Sequence, residues 1–410
     1  MTELPKLGYL LPEFPGQAHS LYWREILKLE AMGIEAVLFS DRPTDTAAHA
    51  WAKGARQRTE YLAQGTMSSL MSLPKLPWRQ LKQGSGNVER MRAVSHAAPA
   101  AKQLAQSCKA QGVTHVHVAS CGPVAMIAAL ANHLYELDYS ISLHGPLSEG
   151  GIGQKFKWQS AKFAVIGSQR LLDEITPVLG ESLPERVLVQ PQGVDTDYLR
   201  RDAPYRPPEP GKTLRLVSRA RLHASNAHED LFQAVTLLQG RGIDVHLEII
   251  GEDDEGGTGY RTVLEEQITE LGLIGTVRLM GSVSEDTLRD RLCDAHVLVM
   301  ANHSEALGAS AMEAMSCECP VVGIEGGSVD ELITNGRDGV LVEKGNPVAL
   351  AAALEYLATD PVRAAALGKA GRKRILQSFD AARGAEALVR EVGLTPPPME
   401  PMPDEPLLDF

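Results

Sequence analysis

The stretch SEALGASAMEAMSCECPVV, from Ser304 to Val322, decides the fold of this chain. It follows an apolar run, Val297–Ala301, whose length and composition predict a buried strand. A helix is expected to begin at Ala309 or Ser310 and to end before Pro320, where the next strand opens. The order strand, loop, helix, strand is typical of a parallel α/β sheet.

The loop between this strand and helix has the features of an anion site. Gly308 lets the backbone turn, and Ser310 is expected to cap a helix whose first N–H groups, from Ala309 onward, suit a diphosphate. Glu305 and Glu313 flank this site and, as carboxylates, favour ribose or sugar hydroxyls over phosphate oxygens. The alternative is a solvated loop acid and a helix-surface acid.

The pair Glu305 and Glu313 resembles the Glu-x7-Glu motif of retaining glycosyltransferases of family 4, the glycosyl transferases group 1. The run GIEGGSVDELITNGRDGVLV, Gly323–Val342, resembles the same family. The family residues in register there are Gly326, Gly327, Glu331, Gly336 and Gly339. The resemblance implies the GT-B fold, an α/β architecture of two Rossmann-like domains that face each other across a cleft.

The length of the chain, 410 residues, exceeds what one hydrophobic core usually supports, so two domains are expected. We predict an N-terminal Rossmann-like domain on the acceptor side over 1–201 and a linker with four prolines over 202–212. A C-terminal Rossmann-like domain that binds the nucleotide sugar is predicted over 213–392, followed by a proline-rich tail over 393–410.

The composition indicates a globular cytoplasmic protein. Hydrophobic residues make up 44% and charged residues 22% of the chain, and the net charge of -12 argues against a nucleic-acid partner. We expect no membrane span or signal peptide, and the five scattered cysteines predict neither disulfides nor a metal site. The stretch around Trp78, Leu76–Lys82, fits either peripheral contact with the inner face of a membrane or the edge of a core helix.

Two histidines of the first domain are candidate site residues. His19 lies in the turn between a predicted strand, Lys6–Leu11, and a helix over about 20–32, a loop that the resemblance places on the acceptor side. His144 follows the predicted strand Tyr139–Leu143, where family members carry a histidine against the donor sugar. A neutral imidazole there can hydrogen-bond a sugar hydroxyl. For both residues the alternative is a structural turn histidine.

The first loop of the second domain, SRARLHASNAHEDL, departs from the family at one position. Arg221 matches the family arginine and is expected to bind the donor diphosphate. The family lysine that helps to neutralise the diphosphate falls on Asn226, which leaves one positive charge missing from the donor-binding set. Arg219 or His223 is expected to compensate.

The resemblance implies a retaining hexosyltransferase that moves a sugar from a nucleoside diphosphate sugar to a hydroxyl of a saccharide or lipid-linked acceptor, in polysaccharide or glycoconjugate biosynthesis. Glu305 and His144 are the expected catalytic residues, and Glu313 is expected to bind the ribose. Family members generally work without a metal and let the leaving diphosphate take the acceptor's proton, so we expect no cofactor.

Two other functions fit the same sequence. The loss of the family lysine at Asn226 fits a sugar-nucleotide-binding scaffold protein with weak or no catalysis. A nucleotide-sugar 2-epimerase shares the two-domain fold, but it needs acid and base groups around C2 of the sugar, and the match around Glu305 favours a transferase.

Overall fold

A computed structural model of the chain describes residues 4–397, except 17–18, 45–48, 63–86, 254–256, 258 and 302–307, and except the side chains of 87–92. The predicted catalytic residue Glu305, the stretch around Trp78 and most of the predicted tail therefore lie outside the described residues. Within the described part of the chain, no helix has both the length and the apolar character needed to cross a membrane.

The first domain is a doubly wound α/β domain. Its strands are β1 (Lys6–Leu11), β2 (Glu35–Ser40), β3 (Thr59–Tyr61), β4 (His115–Val118), β5 (Asp138–Leu143), β6 (Ala164–Ile166) and β7 (Val187–Val189). Its helices are α1 (Ser20–Ala31), α2 (Ala52–Arg58), α3 (Asn87–Gln111), α4 (Pro123–Tyr135), α5 (Gln154–Gln159) and α6 (Gln169–Leu179). The seven strands are parallel and lie in the order β3-β2-β1-β4-β5-β6-β7.

The second domain repeats this plan. Its strands are β8 (Leu214–Arg219), β9 (Val245–Ile250), β10 (Val277–Gly281), β11 (Val297–Val299), β12 (Val321–Ile324) and β13 (Val340–Val342). Its helices are α7 (His228–Gly240), α8 (Tyr260–Glu270), α9 (Glu285–Asp294), α10 (Ala309–Ser316), α11 (Val329–Leu332), α12 (Pro347–Thr359) and α13 (Pro361–Ser378), and α14 (Ala381–Val392) follows them. The six parallel strands lie in the order β10-β9-β8-β11-β12-β13.

Both sheets have the strand order of a Rossmann fold, so the predicted fold class is confirmed. The apolar run Val297–Ala301 supplies β11 (Val297–Val299), and all three residues of this strand are buried. A strand covered by helices on both faces loses its polar positions, and this explains why the run reads as continuously apolar rather than alternating. In each sheet the winding direction reverses between two central strands, β1 and β4 in the first and β8 and β11 in the second.

The last helix, α14, belongs to the first domain by its contacts, although the predicted second domain runs over 213–392. Ala385, Leu388 and Val389 of α14 join the buried cluster that contains Leu7 and Trp23 of the first domain. These three α14 positions recur at helical spacing, so one face of the helix is apolar and needs a partner. The described part of the second domain therefore ends at α13.

The crossing between the domains lies upstream of the predicted linker over 202–212. Val194 pairs with the segment before α14, since its N–H donates to the Phe379 carbonyl at 2.9 Å and its own carbonyl accepts from Ala381 N–H at 2.9 Å. Tyr205, inside the predicted linker, is already buried in the second core and donates its hydroxyl to the His296 carbonyl at 2.7 Å. The four prolines therefore predicted a linker in a segment that already packs on the second domain.

Candidate functional site

The central feature of the second domain is an ion pair between Arg219 and Glu313. Arg219 is the last residue of β8, and Glu313 lies on α10, which follows the neighbouring strand β11. The pair therefore lies where the winding of the sheet reverses, the usual place for a ligand in an open α/β sheet. Glu313 is only 4% exposed, so the guanidinium offsets the cost of burying its carboxylate.

The amino end of α10 lies beside this ion pair. The helix begins at Ala309, as predicted, but its capping residue is Gly308, with a left-handed φ of 78° that glycine adopts without strain. The prediction that Ser310 caps the helix is wrong, because Ser310 stands one residue inside the helix and is 2% exposed. The positive end of the helix dipole favours an anion here, and Arg219 offsets the charge of the neighbouring Glu313 carboxylate.

The loop after β8 gives Asn226 a role inside the protein. The Arg221 carbonyl accepts hydrogen bonds from Asn226 Nδ2 at 2.7 Å and from His228 Nε2 at 3.0 Å. Asn226 is 9% exposed, whereas the side chains of Arg221 and His223 are exposed. The amide thus stabilises the loop that presents Arg221, and a contact between Asn226 and the donor stays a prediction.

His144 lies at the carboxyl end of β5 in a cavity of about 290 Å³. Among the described residues, its Nδ1 is buried and has no hydrogen-bond partner. Burial lowers the pKa of His144 to about 4, so the imidazole is neutral at neutral pH. A neutral ring nitrogen without a partner is suited to a hydrogen bond with a ligand hydroxyl.

His19 is connected to His144 through Tyr22. The ring of Tyr22 lies 5.6 Å from that of His19 and 6.4 Å from that of His144. His19 Nδ1 accepts the Gly16 N–H at 2.9 Å, and burial, helped by His49, lowers the pKa of His19 to about 4. Sequence reasoning missed Tyr22, although a residue three positions after His19 lies on the same side of α1.

Helix α1 also brings the first-domain residues to the second domain. Ser20 and Leu21 line a small cavity together with Glu313, and Arg24 pairs with Glu285 of the second domain at 2.8 Å. His144 and Glu313 therefore lie near opposite sides of the first turns of α1. This arrangement places the predicted acceptor-side and donor-side residues around the same helix.

A second contact between the domains involves Glu331, to which sequence reasoning gave no role. Its carboxylate accepts the Gln169 N–H at 2.8 Å and the Arg170 N–H at 2.9 Å, at the amino end of α6. Next to it, the hydroxyls of Ser168 and Ser328 lie 3.1 Å apart. A carboxylate at a helix amino end is favoured by the helix dipole, so Glu331 stabilises this arrangement of the domains.

Parts of the chain are similar to known proteins. Residues 201–374 match the family described as glycosyl transferases group 1. The chain is 28% identical over 157 residues to D-inositol 3-phosphate glycosyltransferase of Streptomyces avermitilis, covering 37% of this chain and 34% of the relative. It is 29% identical over 208 residues to a GDP-mannose-dependent alpha-(1-6)-phosphatidylinositol monomannoside mannosyltransferase of Mycolicibacterium smegmatis. This match covers 46% of this chain and 51% of the relative. The matches thus span about a third to a half of these relatives.

Solved structures match over nearly the whole chain. Anabaena HepE, solved in complex with UDP, superposes with a TM-score of 0.73 at 17% identity, over 96% of this chain and 100% of that one. Sucrose-phosphate synthase from Thermosynechococcus elongatus gives a TM-score of 0.71 at 16% identity, over 95% and 99%. These likenesses confirm the GT-B fold.

Proposed function

We propose that the protein is a retaining glycosyltransferase, because its residues 201–374 match the glycosyl transferases group 1 and its fold is GT-B. It moves a hexosyl group from a nucleoside diphosphate sugar to an acceptor hydroxyl in polysaccharide or glycoconjugate biosynthesis. The acceptor is a saccharide or a lipid-linked saccharide, and the protein works in the cytoplasm, with at most peripheral contact at the membrane.

One observation carries this proposal: the buried pair of Arg219 and Glu313 beside the amino end of α10. The Glu313 carboxylate accepts hydrogen bonds from the ribose hydroxyls of the donor. The guanidinium of Arg219 keeps that carboxylate from repelling the nearby diphosphate, which the α10 backbone and the exposed Arg221 bind. HepE, which shares the fold, was solved in complex with UDP, and this supports a nucleotide ligand for this chain.

The proposed reaction breaks the bond between the anomeric carbon and the diphosphate oxygen, and the bonding electrons leave with the diphosphate. The acceptor hydroxyl attacks the same face of the sugar and gives its proton to the leaving diphosphate. Glu305, which lies in the sequence between β11 and α10, would stabilise positive charge on the ring. The neutral His144 would hydrogen-bond a sugar hydroxyl and so fix the ring in the cleft.

A second candidate is a sugar-nucleotide-binding scaffold protein with weak or no catalysis. The position of Asn226 favours it, because the side chain in place of the family lysine donates to the loop backbone. The negative charge on the leaving diphosphate then has one cation fewer to stabilise it in the transition state.

Thermal unfolding in the presence of nucleoside diphosphates and their sugars tests the proposal, because a ligand that binds only the folded state raises the melting temperature. We expect the donor with one particular base and one particular sugar to raise the melting temperature most. We also expect the protein to release nucleoside diphosphate from that donor. Stabilisation without any release or transfer would support the scaffold protein, and no stabilisation by any compound would refute both functions.

A further inference from the structure

The first domain contains a cavity of about 430 Å³ beside the one that holds His144. It opens between α3 and α4, and its apolar wall includes Leu62, Ala97, Met126, Ile127 and Ile152. Gly150 lines both this cavity and the His144 cavity, so the two adjoin. The volume lies within the range of small-molecule sites, roughly 300–1,000 Å³.

Lys157 is the unusual residue in this wall. It is 2% exposed, and its Nζ donates to the Cys121 carbonyl at 3.0 Å and to the Gly150 carbonyl at 2.8 Å. An ammonium group has three donors, so within the part of the chain that the structure describes these two bonds leave one donor unused. Burial lowers the pKa of Lys157 to about 8, which still leaves the group mainly charged at neutral pH.

The other charged groups of the wall have partners of their own. Arg42 pairs with Glu13, and the carboxylate of Asp41 accepts the Glu13 N–H at 2.9 Å. Among the described residues, no carboxylate forms an ion pair with Lys157. A buried cation is costly unless an anion accompanies it, and this cavity offers room for one.

We propose that the cavity receives an amphiphilic acceptor, whose apolar part packs between α3 and α4 and whose anionic group binds Lys157. The acceptor hydroxyl then reaches past Gly150 to the donor sugar at His144. This inference rests on the proposed function and adds the chemical class of the acceptor. A purely structural lysine, which only ties Gly150 to Cys121, would have no effect on ligand selectivity.

Binding of n-octyl phosphate, measured by calorimetry on the full chain below the micelle-forming concentration, tests the proposal. Octyl glucoside supplies the apolar part alone, and inorganic phosphate supplies the anion alone. We expect octyl phosphate to bind about tenfold or more tightly than either, since a desolvated charge-assisted hydrogen bond contributes about that much.

Three variants locate the binding. Ile152→Trp fills the cavity and should weaken octyl phosphate binding about tenfold or more. Lys157→Gln should remove the preference for octyl phosphate over octyl glucoside, and if it fails to fold, Ile152→Trp alone decides. Ala110→Trp, at an exposed position of α3, a helix that lines the cavity at other positions, is the matched control and should bind as the wild type does.

Equal octyl phosphate affinity in the wild type and Ile152→Trp would overturn the inference, as would inorganic phosphate binding as tightly as octyl phosphate. Nucleoside diphosphate binding is measured on the same samples to separate the two proposals. Nucleotide binding without octyl phosphate binding contradicts only the acceptor class. Octyl phosphate binding without any nucleotide binding contradicts only the proposed transfer.

Discussion

Arg219, the last residue of β8, forms an ion pair with Glu313 on α10, the helix that follows the neighbouring strand β11. The pair links residues 94 positions apart in sequence, at the point where the winding of the sheet reverses. It fixes the Glu313 carboxylate on α10, where we propose that the donor binds.

Glu313→Gln should weaken binding of the preferred nucleoside diphosphate by about 1–3 kcal/mol, because the ribose hydroxyls lose a charged acceptor. Calorimetry measures the dissociation constant. The substitution should also lower the melting temperature, since it leaves the partly buried Arg219 without its partner. Glu270→Gln, at an exposed position on α8, is the control and should change neither quantity. An unchanged dissociation constant in Glu313→Gln would remove this residue from the site.

Asn226→Lys adds a cation to the loop that presents Arg221. If that position faces the diphosphate, nucleotide binding should tighten about tenfold, and the gain should shrink as salt rises. Asn226→Ala removes the hydrogen bond to the Arg221 carbonyl without adding charge, and should cost about 1 kcal/mol of folding stability. Titration of the nucleotide into both variants at low and high salt measures these affinities. Equal nucleotide affinities in the two variants would show that position 226 does not face the diphosphate.

His144 should make the protein sensitive to acid. Its pKa is about 4 in the folded protein and near 6.5 when unfolded, so the unfolded chain binds more protons between these values. Stability is therefore unaffected by this group above about pH 6.5 and falls as the pH drops toward 4, by about 2 kcal/mol at pH 5. Denaturant unfolding at pH 7.5 and pH 5 should show a smaller acid loss in His144→Gln than in the wild type. The same loss in both would mean that His144 is protonated in the folded state.

Glu331→Ala should open the cleft, because the amino end of α6 loses its carboxylate partner from the other domain. Small-angle X-ray scattering without ligand should give a larger radius of gyration than for the wild type. Glu266→Ala, exposed on α8, serves as the control. Identical scattering of Glu331→Ala and the wild type would show that the remaining contacts, such as Arg24 with Glu285, hold the domains by themselves.

Local features were predictable because their causes are local. The start of α10 at Ala309 and the capping of α6 by Ser168, whose hydroxyl accepts the Leu171 N–H at 3.2 Å, follow from residues next to each helix end. The features that sequence reasoning missed depend on packing between distant segments. The contact of Glu331 with the amino end of α6, for example, is not encoded in the residues around Glu331.

Asn226 illustrates a further limit of sequence reasoning. The sequence alone shows an uncharged residue where relatives carry a lysine, and this suggests only a missing charge. The structure adds that the Asn226 amide donates to the Arg221 carbonyl. The direction of a side chain in a loop depends on the folded loop rather than on the residue type, so the sequence alone does not predict this contact.

The central claim is retaining transfer from a nucleoside diphosphate sugar, and it can be tested before the acceptor is known. Water serves as a slow acceptor, so the preferred donor, with its sugar α-linked, is incubated with the protein and followed by proton nuclear magnetic resonance. A retaining enzyme releases the α-anomer first, and mutarotation then produces the β-anomer. We predict this order for the wild type. We also predict that a Glu305→Gln variant, which still binds the nucleotide, loses the release of sugar. Initial release of the β-anomer, or the same rate of release in Glu305→Gln, would contradict the proposed reaction.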